Sequence, residues 1–278
     1  MNFIDAHVHL WTPDTGHYPL AAGFRRANME PPSFTAEEFW KLAGPAGVNR
    51  AVLIQMSFYG HDNQYMLDAI QMDPHRLRGV AVIDQNAAHP EPEMLRLKAQ
   101  GVRGFRIYPK DLPPERWLDA EGLHKMFALG AKENLAMCCL IDPNALPALG
   151  RACAKYPDTP VVIDHLCRIG ASGDIVERDV AALCRLAANK QTSVKVSAFY
   201  ALGKKRPPYF DLAPLIRRVF DAFGPERLMW ASDCPFQVVE QTYRQSIDLV
   251  RASLDFLSPA DKDWLLHKTA ERLFFAGA

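Results

Sequence analysis

Eight short apolar runs recur along the chain, and a stretch with helical spacing lies between each and the next. The runs are Phe3–Ala6, Ala51–Gln55, Val80–Ile83, Val102–Ile107, Ala136–Ile141, Val161–His165, Ser193–Ser197 and Leu228–Ser232. Most are rich in Val and Ile and flanked by Gly or Pro, which predicts strands buried on both faces. Parallel strands need helical crossovers, and eight β-then-α units predict a sheet closed on itself. The expected fold is α/β: a (β/α)8 TIM barrel forming one domain over residues 1–278. Barrels of this type run to ~250 residues, so the length suits one domain, and no linker or repeat interrupts it.

The helical stretches carry recognisable signals. Thr35-Ala-Glu-Glu38 reads as a capping box, with Thr35 as cap and Glu38 three residues on. Further helices are expected at Asn63–Met72, Pro92–Gln100, Asp119–Glu133, Asn144–Tyr156, Asp174–Ala188 and Leu212–Phe223. Extra C-terminal helices follow at Val238–Leu257, Pro259–Leu266 and Thr269–Phe274. A long loop after strand one, from Trp11 to Ser33, is rich in Pro and Gly and lacks periodicity. Loops of this size in compact domains are usually functional, and this one is expected to act as a lid over the catalytic face.

Composition narrows the function. Lys plus Arg equals Asp plus Glu at 32 each, which argues against a nucleic-acid or membrane-surface partner. No apolar stretch approaches the ~20 residues needed to span a bilayer. The N-terminus reads as a strand rather than a targeting segment, and the six Cys show no CxxC spacing. A cytoplasmic, reduced protein is expected.

In a barrel the chemistry collects at the carboxyl ends of the strands. Strand one delivers Asp5, His7 and His9; strand two Gln55, Ser57, Tyr59 and His61; strand four Arg106 and Tyr108. Strand six delivers Asp164, His165 and Arg168, strand seven Lys195 and Ser197, and strand eight Ser232 and Asp233. Alternate residues of a strand point the same way, so HxH puts both imidazoles on one side. His7, His9, His165 and Asp233 converge on one mouth. They could hold a divalent metal, or equally a substrate carbonyl and a water with Asp233 as general base. Lys195, inward on strand seven, could serve as an ion-pair partner inside the barrel. Tyr200, Tyr209 and Trp11 read as packing that could line the pocket wall. Arg25, Arg26, Arg106, Lys110, Arg168, Lys204, Lys205 and Arg206 lie on or after strand ends, a cluster that would attract an anion. Gln55, Tyr59, Arg106, Arg168, Lys204 and Lys205 are the substrate-binding candidates.

The segments IDAHVHLW, VVIDHL and WASDCPF, in this order on β/α units, resemble the amidohydrolase superfamily. VLIQMSFYGHDNQYML, GVRGFRIYP and VKVSAFYALGKKRPPY narrow the resemblance to its lactonase branch, which includes 2-pyrone-4,6-dicarboxylate lactonase and sugar lactonases. The resemblance implies a (β/α)8 barrel that hydrolyses a cyclic ester. It implies Asp233 as the acid that activates water, and His7, His9 and His165 as the groups that polarise the carbonyl. It implies Arg106 and Arg168 as binders of substrate carboxylates. It also implies either no cofactor or one divalent metal, zinc first, held by His7, His9, His165 and Asp233. This chain departs from the dicarboxylate lactonase pattern on strand five, where Cys138-Cys139-Leu140-Ile141-Asp142 offers no tyrosine. It departs again near Phe24-Arg25-Arg26, which offers no tyrosine match, and at Lys268, where Asn is usual.

The leading expectation is a lactone hydrolase acting on a small anionic or polyhydroxylated molecule. The alternative is a zinc-dependent non-oxidative decarboxylase of the same superfamily. A catalytically dead binding barrel is disfavoured by the intact four residues. A homo-oligomer is compatible with the sequence, which leaves the oligomeric state open.

Overall fold

A computed structural model describes residues 2–109 and 112–276. Its eight strands are β1 (Phe3–Val8), β2 (Val48–Ile54), β3 (Leu77–Ala81), β4 (Val102–Ile107), β5 (Ala136–Cys139), β6 (Val161–Ile163), β7 (Thr192–Val196) and β8 (Leu228–Trp230). They pair in chain order, every neighbouring pair parallel. Seven helices occupy the crossovers: α1 (Ala36–Ala43), α2 (Gln64–Met72), α3 (Glu91–Ala99), α4 (Glu121–Glu133), α5 (Leu146–Lys155), α6 (Glu177–Arg185) and α7 (Ala213–Phe223). The expected TIM barrel is the observed one.

The helix patterns explain their packing. In α7, Leu215, Ile216, Val219 and Phe223 share a buried face, while Arg217 and Asp221 pair four residues apart on the outer face. Thr35 caps α1 through its hydroxyl, which accepts from Glu38 N, and Glu38 reaches back to Thr35 N at 2.6 Å. A second apolar layer fills the barrel with Ile4, Ala6, Val52, Ile54, Val80, Ala136, Cys138, Val162, Met229 and Ala231. Phe274 and Phe275 pack against this layer from the C-terminal helical segment.

Two expected boundaries move. Strand six stops at Ile163 because His165–Arg168 adopt left-handed backbone angles, with φ from 51° to 57°. The single helix expected over Val238–Leu257 is broken at Gln241, where Thr242 starts a new helix with its own capping box to Gln245. The long loop after β1 also differs from a lid. Its Ala21 N donates to Phe58 O, Thr12 N donates to the Tyr59 hydroxyl, and Phe24 stacks edge-on against Phe58. The loop is clamped to the loop after β2, and none of its described residues lines the central cavity.

The barrel closes between β1 and β8 with few ladder bonds: Val8 bridges Cys234, His9 N donates to Cys234 O, and Asp233 N donates to His7 O. Asp5 supplies the rest. Its Oδ1 accepts from Ser232 N at 2.9 Å and His7 N at 3.2 Å, and its Oδ2 accepts from the Tyr243 hydroxyl at 2.8 Å. Burial pushes the Asp5 carboxyl up to about 6, against the pull of these donors. The unfolded chain titrates this group near ~4, so between that value and about 6 the folded state binds the proton more tightly. Stability from Asp5 is therefore fully present at low pH and is lost as pH rises through about 6. Asp5→Asn keeps the shape and cannot ionise. Urea unfolding across pH 4 to 7 should show the variant free of a decline worth ~3 kcal/mol in the unaltered chain. Equal slopes in both proteins would contradict this account.

Candidate active site

At the carboxyl ends of the strands lies a cavity of ≈ 510 Å³. His9, Arg106, His165, Arg168, Tyr200 and Asp233 provide most of its polar wall, and Met56, Leu140, Leu202 and Phe236 much of the rest. The two imidazoles of HxH converge as expected, with Nε2 atoms 3.1 Å apart. His9 is oriented by Nδ1, which donates to Ile54 O at 2.9 Å and leaves Nε2 with its lone pair toward the site.

His165 and Asp233 reach the mouth through strained backbone. His165 has φ 54° and Asp233 φ 61°, a region that costs a non-glycine residue ~1–2 kcal/mol. The left-handed turn lets His165 stack against His7 at 4.5 Å between ring centres, with Nδ1 2.9 Å from Ser197 Oγ. Asp233 Oδ2 accepts from the Tyr200 hydroxyl at 2.7 Å. Its Oδ1 is buried without a hydrogen-bond partner, 3.4 Å from His7 Nε2 and 3.5 Å from His9 Nε2. Such an atom is poised to accept a proton or to ligate a cation.

Beneath them lies a buried ion pair, Lys195 Nζ to Asp164 Oδ1 at 3.0 Å. Arg106 Nε stands 3.6 Å from Asp164 Oδ2. Burial opposes the charge on Asp164, yet Lys195, His7 and Arg106 hold its carboxyl well below the usual range. Burial likewise opposes the charge on Asp233, and the surrounding imidazoles hold it well below that range. Burial, aided by Lys195, drives His7 well below the usual histidine value. Burial also lowers His165, against the pull of Asp233 and Asp164. At neutral pH the site therefore presents neutral His7 and His165 rings beside an ionised Asp233.

Two triples of ligand atoms lie close enough to share a cation: His7, His9 and Asp233, and His7, Asp164 and His165. The first fits a divalent ion better. Both triples hold a buried carboxylate oxygen without a hydrogen-bond partner, and His7 of both lies beside Lys195; the first adds the free lone pair of His9 Nε2, whereas in the second Asp164 Oδ1 is already paired with Lys195 at 3.0 Å. His7, His9, His165 and Asp233 meet at one mouth, with His165 Nε2 3.8 Å from Asp233 Oδ2, while His165 shares its close triple with His7 and Asp164.

The other candidates separate clearly. Arg106 and Arg168 line the cavity, and Arg168 Nε lies 3.4 Å from Asp142 Oδ1. Gln55 is buried, and its Nε2 donates to Gly60 O and Asp62 O, which fixes the loop after β2. Tyr59 is buried against the loop after β1 and does not line the cavity. Lys204 and Lys205 are exposed and outside the lining. At Gly203, just before them, N donates to Gly170 O, and at φ 57° a Cβ there would lie 2.2 Å from Asp211 Oδ2. Arg25, Arg26 and Arg206 are also exposed and outside the lining, and Lys110 lies outside the described residues. Tyr200 does more than pack, because it grips Asp233. Its position three residues after Ser197 was the available signal. Phe236 was not anticipated; its ring meets that of His9 at 5.5 Å.

The choice of triple is testable with zinc and a competing chelator. His9→Ala and Asp233→Asn should each weaken binding at least ~10-fold, the scale seen even for outer-shell partners. His165→Ala should stay within a few-fold of the unaltered chain; a loss as large as that of His9→Ala would place His165 among the ligands.

Comparison with known proteins finds relatives named for lactone hydrolysis. The chain is 28% identical to an L-fucono-1,5-lactonase of Burkholderia ambifaria over 238 residues, covering 84% of this chain and 80% of that protein. It is 26% identical to a 4-sulfomuconolactone hydrolase of Rhizobium radiobacter, covering 83% of this chain and 75% of that protein. A crystal structure from Acinetobacter baumannii, described as a probable 2-pyrone-4,6-dicarboxylic acid hydrolase with citric acid bound, superposes with a TM-score of 0.81 at 28% identity and covers 99% of both chains. The profile of the Amidohydrolase family matches residues 4–276, and the chain belongs to that family.

Proposed function

We propose that this chain opens a carboxylated lactone by attack of a water that Asp233 deprotonates. The observation that carries the reading is Asp233 Oδ1, buried, unpartnered and set between His7 Nε2 and His9 Nε2 in a cavity that also holds Arg106 and Arg168. The relatives named as a fuconolactonase and a sulfomuconolactone hydrolase support ring-opening of a cyclic ester.

The residues divide the work. Ionised Asp233 takes a proton as the water oxygen bonds to the carbonyl carbon. Tyr200 holds the far carboxylate oxygen, so Oδ1 stays aimed at the water. Neutral His7 and His165, rather than His9 whose N–H is held by Ile54 O, can turn an N–H to the oxygen on which charge develops and stabilise it as hydrogen-bond donors. The ring C–O bond then breaks, and the leaving oxygen takes back the proton from Asp233. A divalent ion on His7, His9 and Asp233 would add Lewis-acid polarisation and make a bound water more acidic. Arg106 and Arg168 suit a carboxylate gripped through two parallel bonds.

The remaining lining favours a ring with few hydroxyl groups. Met56, Leu140, Ala171, Ala201, Leu202 and Phe236 are apolar, and outside the catalytic group and the arginines Ser57 is the polar lining side chain. A sugar lactone would leave several hydroxyls without partners, each a desolvation cost of ~1–3 kcal/mol.

The test is proton release on a panel of carboxylated and sugar-derived lactones, with and without a chelator. Carboxylated lactones should be opened fastest, and Asp233→Asn should lower turnover by ~10² or more. Arg168→Met should raise KM for a carboxylated lactone about tenfold, the loss of one charge-assisted pair, with a smaller effect on kcat. Carbon dioxide release from aromatic carboxylates, with no lactone opened, would replace this reading by decarboxylation.

A further inference from the structure

An imidazole that binds a metal nearly always donates its second ring N–H to an acceptor, which leaves the ligating nitrogen its lone pair. His9 has this arrangement, through Ile54 O. His7 does not. Its Nδ1 lies 3.1 Å from Lys195 Nζ and 3.5 Å from Asp164 Oδ1. An ammonium group donates three hydrogens and accepts none. The closer contact is favourable when His7 Nδ1 carries a lone pair, and the neutral ring then bears its hydrogen on Nε2.

The neighbours match that assignment. His7 Nε2 faces His9 Nε2 at 3.1 Å and Asp233 Oδ1 at 3.4 Å. His9 Nε2 is an acceptor because its Nδ1 hydrogen is committed to Ile54 O. A directed chain results: Lys195 donates to His7, His7 to His9, and His9 to the backbone. Lys195 is fully buried and fixed by Asp164 at 3.0 Å, so it cannot turn to solvent.

We propose that Lys195 is a positioning residue that holds His7 as its Nε2–H tautomer, keeping a hydrogen-bond donor turned to the reacting centre and opposing a divalent cation at that nitrogen. For His7 to ligate a cation through Nε2, its hydrogen must move to Nδ1. Asp164 Oδ1 is the acceptor within reach there, and the bond from Lys195 must be given up. Lys195 thereby sets how readily the site takes up an ion. The inference concerns the site assigned above, but its test reads no turnover, so it stands or falls apart from the lactone assignment.

The first measurement uses the full chain, labelled with ¹⁵N-histidine and stripped of metal. Two-bond ¹H–¹⁵N correlation reports which ring nitrogen of each histidine is protonated. His7 should be protonated on Nε2 and His9 on Nδ1; His7 protonated on Nδ1 overturns the proposal. The second measurement is zinc affinity, from zinc chloride competed against a chromogenic chelator. Lys195→Met should move the His7 hydrogen to Nδ1 and bind zinc about tenfold or more tightly, the scale of one hydrogen bond to a charged group. An unchanged tautomer in that variant, or zinc affinity equal to or below that of the unaltered chain, overturns it. If the variant does not fold, the spectrum of the unaltered chain decides.

Discussion

The buried pair of Lys195 and Asp164 is the interaction on which the rest of the site depends. Both side chains are fully buried, and an ion pair in that position is tolerated only when each charge has close partners. Here the pair is shared outward. Lys195 reaches His7, and Asp164 lies beside His7 and Arg106. Orientation passes from the barrel interior to the imidazoles, and from the imidazoles to Asp233. The electrostatics follow the same route: one buried positive charge favours ionised Asp164 and neutral His7.

Around this centre the barrel accepts backbone strain where chemistry needs direction. His165, Leu166, Cys167, Arg168, Ala198 and Asp233 all have positive φ, and all lie just beyond strand ends. A regular strand would carry His165 and Asp233 along the barrel axis; the left-handed turns swing them across the mouth. Each costs ~1–3 kcal/mol, and the parallel ladder with its apolar interior keeps them in place. The loops serve the same end. Gln55 and Tyr59 pin the loops after β2 and β1 through their hydrogen bonds.

Recognition then falls to the cavity wall. Arg106 and Arg168 give it positive charge, while Leu140 and Phe236 give it apolar surface. The lysines of the GKKR segment carry the same charge but face solvent, where the field of an exposed cation is screened within about 10 Å. Arg168 is itself exposed, so position on the cavity wall, rather than burial, separates Arg106 and Arg168 from those lysines.

The sequence by itself determined the barrel and the convergence of His7, His9, His165 and Asp233 on one mouth, because strand alternation and the β/α repeat are local patterns. Alternation within a strand aims HxH at one spot, and repeated β/α units place strand ends on one face. Val102–Ile107 and the Thr35 capping box were legible to the residue, since propensity and capping act over a few neighbours. Only the tertiary structure decided which partners those residues meet. The contact of Lys195 with His7 spans 188 positions, and that of Tyr243 with Asp5 spans 238. No local pattern encodes such pairings. The positive-φ backbone at His165, Gly203 and Asp233 likewise depends on the fold packed around it.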